Sequence, residues 1–202
     1  EARAVARISH PGVVTIHEVA TEPRHYIAME LIKGQPLQEL SAGQPMPIPR
    51  ALGLMKQVLA ALQEVHKAGV IHRDLKPSNI MVLDYDRIKV LDFGLAKIEG
   101  DNLKLTQSGE VWGTPQYMAP EQLEPEFGEV DAQTDLFAAA SILYELVTGR
   151  VPFIGGSMRA VTYQIVAKDP PPANQLNPEV GAELSAILAA ALEKNKTKRY
   201  PS

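Results

Sequence analysis

The feature that most constrains this chain is the order of three short strings. They are His72-Arg73-Asp74-Leu75-Lys76-Pro77-Ser78-Asn79, then Asp92-Phe93-Gly94, then Ala119-Pro120-Glu121. Each alone says little. A lone His-Arg-Asp is usually a polar surface cluster, and a lone Asp-Phe-Gly is usually a turn, because Asp and Gly are turn formers. Three strings in one order make a chance match remote. The first two carry two carboxylates (Asp74, Asp92), an amide (Asn79) and an ammonium (Lys76), and these four are the candidate chemistry-bearing side chains.

Composition bounds the rest. With 202 residues, 45% hydrophobic and 22% charged, the chain is long enough for one domain with a sizeable core. A formal net charge of -4 gives no electrostatic case for nucleic acid or an anionic membrane, and the basic stretch Lys194 to Arg199 reads as a solvated helix end. Cysteine is absent, which excludes disulfides and thiolate chemistry. The longest apolar stretch, Leu136 to Tyr144, is bounded by Asp135 and Glu145 and is too short to span a bilayer. The amino terminus does not read as a signal peptide.

Glu1 to Ile8 reads as the end of a helix, stopped by His10-Pro11-Gly12. Val13 to Val19 and His25 to Ile32 read as two strands joined by Thr21-Glu22-Pro23. Beyond the proline-rich Gln44 to Pro49 the pattern is mostly helical. Leu54, Val58, Leu62 and Val65 recur at helical spacing, and Gly69 can end that helix in a left-handed conformation. Thr134 to Thr148 is apolar almost all round, as expected of a buried helix, and Gly149 closes it. A helix starting near Ser157, a loop at Asp169-Pro170-Pro171-Pro172 and a final helix from about Glu179 to Lys194 complete the reading.

The three strings resemble the eukaryotic-like (Hanks-type) serine/threonine protein kinases, in particular the bacterial members. The resemblance implies an α+β protein kinase-like fold, cut short to a remnant of the small β lobe plus a mainly helical large lobe. Residues 1–33 would be the partial small lobe and hinge, with Lys33 to Pro36 connecting the lobes. Residues 34–202 would be the large lobe without its last helix. ATP and Mg²⁺ are the implied cofactors. By resemblance, Asp74 is the catalytic base, Lys76 offsets charge on the γ-phosphate, and Asn79 and Asp92 are the metal ligands, supplying the hard oxygens that Mg²⁺ prefers. Met29 takes the gatekeeper position, backbone groups of Glu30 and Ile32 pair with the adenine edge, and Met81 completes the nucleotide-binding set.

Asp92 to Glu121 resembles an activation segment, in which Thr114 hydrogen-bonds near Asp74 and Lys76. Arg73 is expected to bind a phosphate on that segment, with Thr106 and Ser108 as the candidate phosphosites. Glu1, His72, Arg73, Phe93, Glu121, Asp135 and Arg199 fall to structural roles. Among them Glu121 and Arg199 resemble the two ends of a large-lobe ion pair. Ser78, immediately ahead of Asn79, offers no fixed charge to select a basic substrate. A glycine-rich phosphate loop and a strand lysine are expected upstream and are not in the sequence, so Glu1 would lack its lysine partner and this segment alone is expected to bind Mg-ATP weakly.

The expected function is transfer of the ATP γ-phosphate to protein Ser/Thr hydroxyls. The alternative is a pseudokinase or docking module. Protein substrates and a kinase-kinase contact for autophosphorylation are the implied partners; no nucleic acid and no membrane contact are expected of this segment. The implied location is cytoplasmic, including as the cytoplasmic domain of a membrane-anchored parent.

Overall fold

The computed structural model describes residues 6, 8–20, 26–41, 43–93 and 115–201. Glu1, the turn at Thr21 to Pro23, Gly94, Thr106, Ser108 and Thr114 lie outside the described residues. Strands β1 (Ile16–Ala20) and β2 (Tyr26–Met29) pair antiparallel, with Ile16 opposite Met29. A second antiparallel sheet has the order β3 (Gln35–Pro36), β4 (Ile80–Val82), β5 (Ile88–Val90). Gln35 and Pro36, expected as plain connection, are thus a short edge strand, opposite Val82 and Met81. β4 and β5 were not anticipated. Each is three residues long, with buried outer residues and a half-buried middle one, too short for alternation to register in sequence.

Helix α1 (Leu37–Ser41) and the long α2 (Ile48–Lys67) follow the first strands. The stripe on α2 is buried as its spacing requires, with Leu54, Val58, Leu62 and Val65 at most 1% exposed. Gly69, at φ +74°, ends it in the left-handed conformation expected there, and the Val70 N–H returns to the Val65 carbonyl. Beyond residue 114 come α3 (Pro120–Leu123) and α4 (Ala132–Thr148). In α4, Phe137 to Ile142 are buried without a break, so the helix runs through the middle of the core against α2. Asp131 caps its start: the carboxylate accepts from the Gln133 N–H, and the Thr134 hydroxyl accepts from the Asp131 N–H.

Three further helices follow: α5 (Met158–Ala167), capped by Ser157, α6 (Ala173–Leu176) and α7 (Ala182–Ala191). α7 is shorter than the expected Glu179 to Lys194. The Asn177 side chain accepts from the Glu179 N–H and holds the residues before it as a turn. The reading of Lys194 to Arg199 as a solvated helix end is also corrected: Arg199 is 6% exposed, and Lys194 Nζ lies 3.9 Å from the Phe153 ring centroid. No helix of the described residues is long and apolar enough to cross a membrane.

The end of α4 leaves no room for a side chain. Gly149 has φ +72°, and a Cβ there would stand 2.9 Å from Pro45 Cδ and 3.0 Å from the Gly43 carbonyl oxygen. Both the left-handed backbone and the contact therefore exclude a side chain. Gly149→Ala should destabilise the fold by about 1–3 kcal/mol in urea unfolding, a loss that an unstrained surface substitution would not produce.

Candidate active site

The string His72 to Asn79 follows α2 and is held from below by α4. Asp135, 1% exposed, accepts the His72 N–H at 2.8 Å through Oδ2 and the Arg73 N–H at 2.9 Å through Oδ1. Its Oδ2 also lies 2.7 Å from His66 Nε2. A buried carboxylate with three donors satisfies its charge while fixing two consecutive peptide groups. The second of these is strained: Arg73 has φ +66°, in the left-handed region that side chains disfavour. Gln122 Nε2 donates to the Arg73 carbonyl at 2.7 Å, so this peptide unit is gripped on both sides.

His72 is fully buried, and burial pushes its imidazole below the usual histidine range. Neutral, it accepts from the Asp74 N–H at Nδ1 and donates from Nε2 to the Leu91 carbonyl at 2.8 Å. Its ring lies 4.8 Å from that of Phe93, which is 1% exposed. Packing of these two rings places Asp92, the residue between Leu91 and Phe93, at the surface. Asp92 is exposed at φ +53°, a conformation Asp tolerates better than most side chains.

The remaining polar groups gather around Asp74, whose side chain is 54% exposed. Lys76 Nζ lies 2.7 Å from Asp74 Oδ2. Asn79 is buried; its Nδ2 donates to the Asp74 carbonyl at 2.9 Å, which leaves Oδ1 as the free acceptor among the described residues. The Leu91 N–H donates to the Asn79 carbonyl at 2.8 Å. Leu91, the residue before Asp92, therefore ties together His72 and Asn79. Met81 follows on β4, and Glu30, just past β2, reaches β5 through Lys89. A groove of about 660 Å³ bordered by Gly34, Arg50 and Asp86 contains none of Asp74, Asn79 or Asp92, so the chemistry is not assigned there.

The stretch from Pro115 to Leu123 is clamped to the same helix. Glu121, on α3, meets Arg199 through two parallel bonds of 2.8 and 3.0 Å, with side chains 0% and 1% exposed. The Thr134 hydroxyl donates to Glu121 Oε1 at 2.9 Å, and Arg199 lies 4.9 Å from the Phe137 ring centroid. Tyr117 donates to Glu145 Oε2 at 2.6 Å, and burial, more than the bond, pushes the tyrosine above its usual range. Burial likewise raises the Glu145 carboxyl, against the opposing pull of that bond.

The structure thus brings Asp74, Lys76 and Asn79 together, ties the chain entering Asp92 to them through Leu91, and pairs Glu121 with Arg199. Thr114, Thr106, Ser108 and Glu1 lie outside the described residues. Sequence reasoning missed His66, Lys89, Gln122 and the Tyr117-Glu145 pair. Of these only His66 carried a signal, as a polar residue next to the last member of the buried α2 stripe, Val65.

The protein kinase domain family matches residues 1–201. The chain belongs to that family. This kinase domain is 39% identical, over all of its length, to a probable serine/threonine-protein kinase of Streptomyces coelicolor, SCO3848, of which it covers 31%. It is 38% identical to serine/threonine-protein kinase PknB of Mycobacterium leprae over 99% of its length and 33% of that protein. With Pkn1 of Myxococcus xanthus the identity is 40%, covering the whole chain and 29% of the relative. The kinase domain therefore spans about a third of the length of these relatives. A crystal structure of Rad53 1-466 in complex with AMP-PNP superposes with a TM-score of 0.77, covering 98% of this chain and 50% of that one at 24% identity, which establishes the shared fold.

The clamp between Glu121 and Arg199 is open to measurement. Stranding one member of a buried pair typically costs about 3–5 kcal/mol, against about 0–1 for an exposed pair. Urea unfolding of Glu121→Ala, Arg199→Ala and the double variant should give losses in the buried range and strong coupling. Additive losses below about 1 kcal/mol each would contradict the buried clamp.

Proposed function

We propose that this domain transfers the γ-phosphoryl group of ATP to serine and threonine hydroxyls of proteins. The observation that carries the reading is the fixed cluster itself: Asp74 bound by Lys76 at 2.7 Å and by Asn79 at 2.9 Å, with Asn79 joined through Leu91 to the chain at Asp92. Phosphoryl transfer needs little covalent participation from the protein, so holding these groups in one geometry is most of what catalysis requires. The donor set fits magnesium. Asn79 Oδ1 and the exposed Asp92 carboxylate are hard oxygens, too few to enclose an ion and suited to one that shares its shell with phosphates. When bound there, the ion supplies charge neutralisation for the phosphates.

The chain's own groups do the rest. The Asp74 carboxylate orients the acceptor hydroxyl and takes its proton as the oxygen-phosphorus bond forms. The bond from the γ-phosphorus to the bridging oxygen breaks, and ADP leaves with the electron pair. The Lys76 ammonium, 23% exposed, offsets charge that spreads over the transferring group. At the other end, Met29, Ile32 and Met81 would flank the base, and backbone groups of Glu30 and Ile32 would meet its edge. Thr114 belongs beside Asp74 and Lys76, and Arg73 would receive a phosphate carried on Thr106 or Ser108 through contact between two kinase copies. Protein substrates, autophosphorylation and a cytoplasmic location, where ATP is available, belong to this same reading.

Asp74→Asn in the full-length protein should lower the single-turnover phosphoryl-transfer rate by about 10²- to 10⁴-fold while leaving the fold intact. An unchanged rate would remove Asp74 from the mechanism.

A further inference from the structure

Lys89 sits at the middle of β5, three positions before Asp92. Its Nζ donates to Glu30 Oε1 at 2.6 Å and to the Val13 carbonyl at 3.1 Å. The same Glu30 oxygen accepts the Thr15 N–H at 2.7 Å, and the Glu30 N–H donates back to the Thr15 carbonyl at 3.0 Å. Side-chain exposures of 16% and 27% set this pair apart from surface pairs such as Arg50-Asp86, at 41% and 46%. It is also long-range, joining positions 59 residues apart. Burial works against the Glu30 charge, yet the bonds from Lys89 and Thr15 outweigh it and hold the carboxyl below its usual range.

The surroundings make the pair a clamp. The Val14 N–H donates to the Val90 carbonyl at 3.0 Å, and the Val90 N–H donates to the Gly12 carbonyl at 2.8 Å, so β5 is locked to the chain just before β1. The β4-β5 register sets Met81 opposite Lys89, so both side chains leave the same face of the sheet. One end of this unit is the Glu30 backbone, which the kinase reading assigns to the base. The other end runs directly into Asp92, which that reading assigns to the metal of the phosphates.

We propose that Lys89 is a positioning residue for nucleotide binding, acting through Glu30 to fix the base-pairing edge at a set reach from Asp92. The assignment rests on the kinase function proposed above. A nucleotide has to meet both ends at once, so its affinity depends on how often the two are correctly spaced. Without the clamp the competent arrangement becomes one of several, and the apparent dissociation constant rises by the inverse of its population. Asp74 and Lys76 take no part in the clamp, so the transfer step at saturating ATP should be spared.

The test uses the full-length protein, with Lys89→Met, Lys89→Arg, Glu30→Gln and the Lys89→Met/Glu30→Gln double variant, each checked for folding by circular dichroism. Binding is read with a non-hydrolysable ATP analogue and magnesium; kinetics are read as the ATP dependence of autophosphorylation. Lys89→Met should raise both the analogue Kd and the KM for ATP by about 5- to 30-fold, the range to which a loss of about 1–2 kcal/mol corresponds. The maximal rate should stay within about threefold, Lys89→Arg should recover most of the affinity, and the double variant should be no worse than the weaker single. Should Lys89→Met fail to fold, the near-isosteric Glu30→Gln carries the same expectation for the analogue Kd. Wild type that binds while the variants match it within about twofold overturns this assignment alone, as does a fall in maximal rate without a change in Kd. Folded wild type that binds no nucleotide overturns the kinase reading, and this assignment with it.

Discussion

One buried carboxylate organises the site. Asp135 belongs to α4, the helix most enclosed by the core, and its two oxygens take the N–H groups of His72 and Arg73 as well as the contact with His66. Packing of an apolar helix is converted in this way into the placement of a polar loop. The left-handed Arg73 makes the dependence plain, because a backbone conformation of that kind persists only where its surroundings over-determine it. Here the restraints are Asp135 on one side and Gln122 on the other.

From that anchor the constraints spread through backbone groups. His72 reaches the Leu91 carbonyl and Asn79 receives the Leu91 N–H, so the chain entering Asp92 is tied to both ends of the loop that carries Asp74. Phe93 packs beneath against His72, which allows its neighbour to remain exposed. α4 also carries Thr134, which donates to Glu121, and Glu145, which holds Tyr117. A single helix thus sets the loop from His72 to Asn79 and the segment from Pro115 to Leu123 in one frame. Interior packing keeps that frame stiff, since close-packed cores transmit displacement and do not absorb it.

Much of this was legible in the sequence where the signal was long or chemically specific. The α2 stripe and the two glycine stops at Gly69 and Gly149 follow from periodicity and backbone sterics, and the ordered strings located Asp74, Asn79 and Asp92. The short strands β4 and β5 were hidden because three residues cannot display a period. Side-chain-to-backbone contacts were hidden for a different reason. Gln122 and Lys89 act on carbonyls brought near by tertiary folding, and no local pattern marks such a partner. The basic run at Lys194 to Arg199 misled because charge alone suggests solvent; Arg199 is buried only because Glu121 and two carbonyls receive its donors.

The central claim is that Asp135 holds the loop from His72 to Asn79 in its shape. Asp135→Asn tests it with almost no change in volume, since an amide can accept one of the two N–H groups but turns a donor toward the other. Amide hydrogen exchange at His72 and Arg73, measured alongside the phosphoryl-transfer rate of the full-length protein, is the direct readout. The account predicts faster exchange at one or both amides and a rate lowered by about 10-fold or more, in line with about 1–3 kcal/mol for a buried donor left unsatisfied. Unchanged exchange at both amides with a wild-type rate would contradict it.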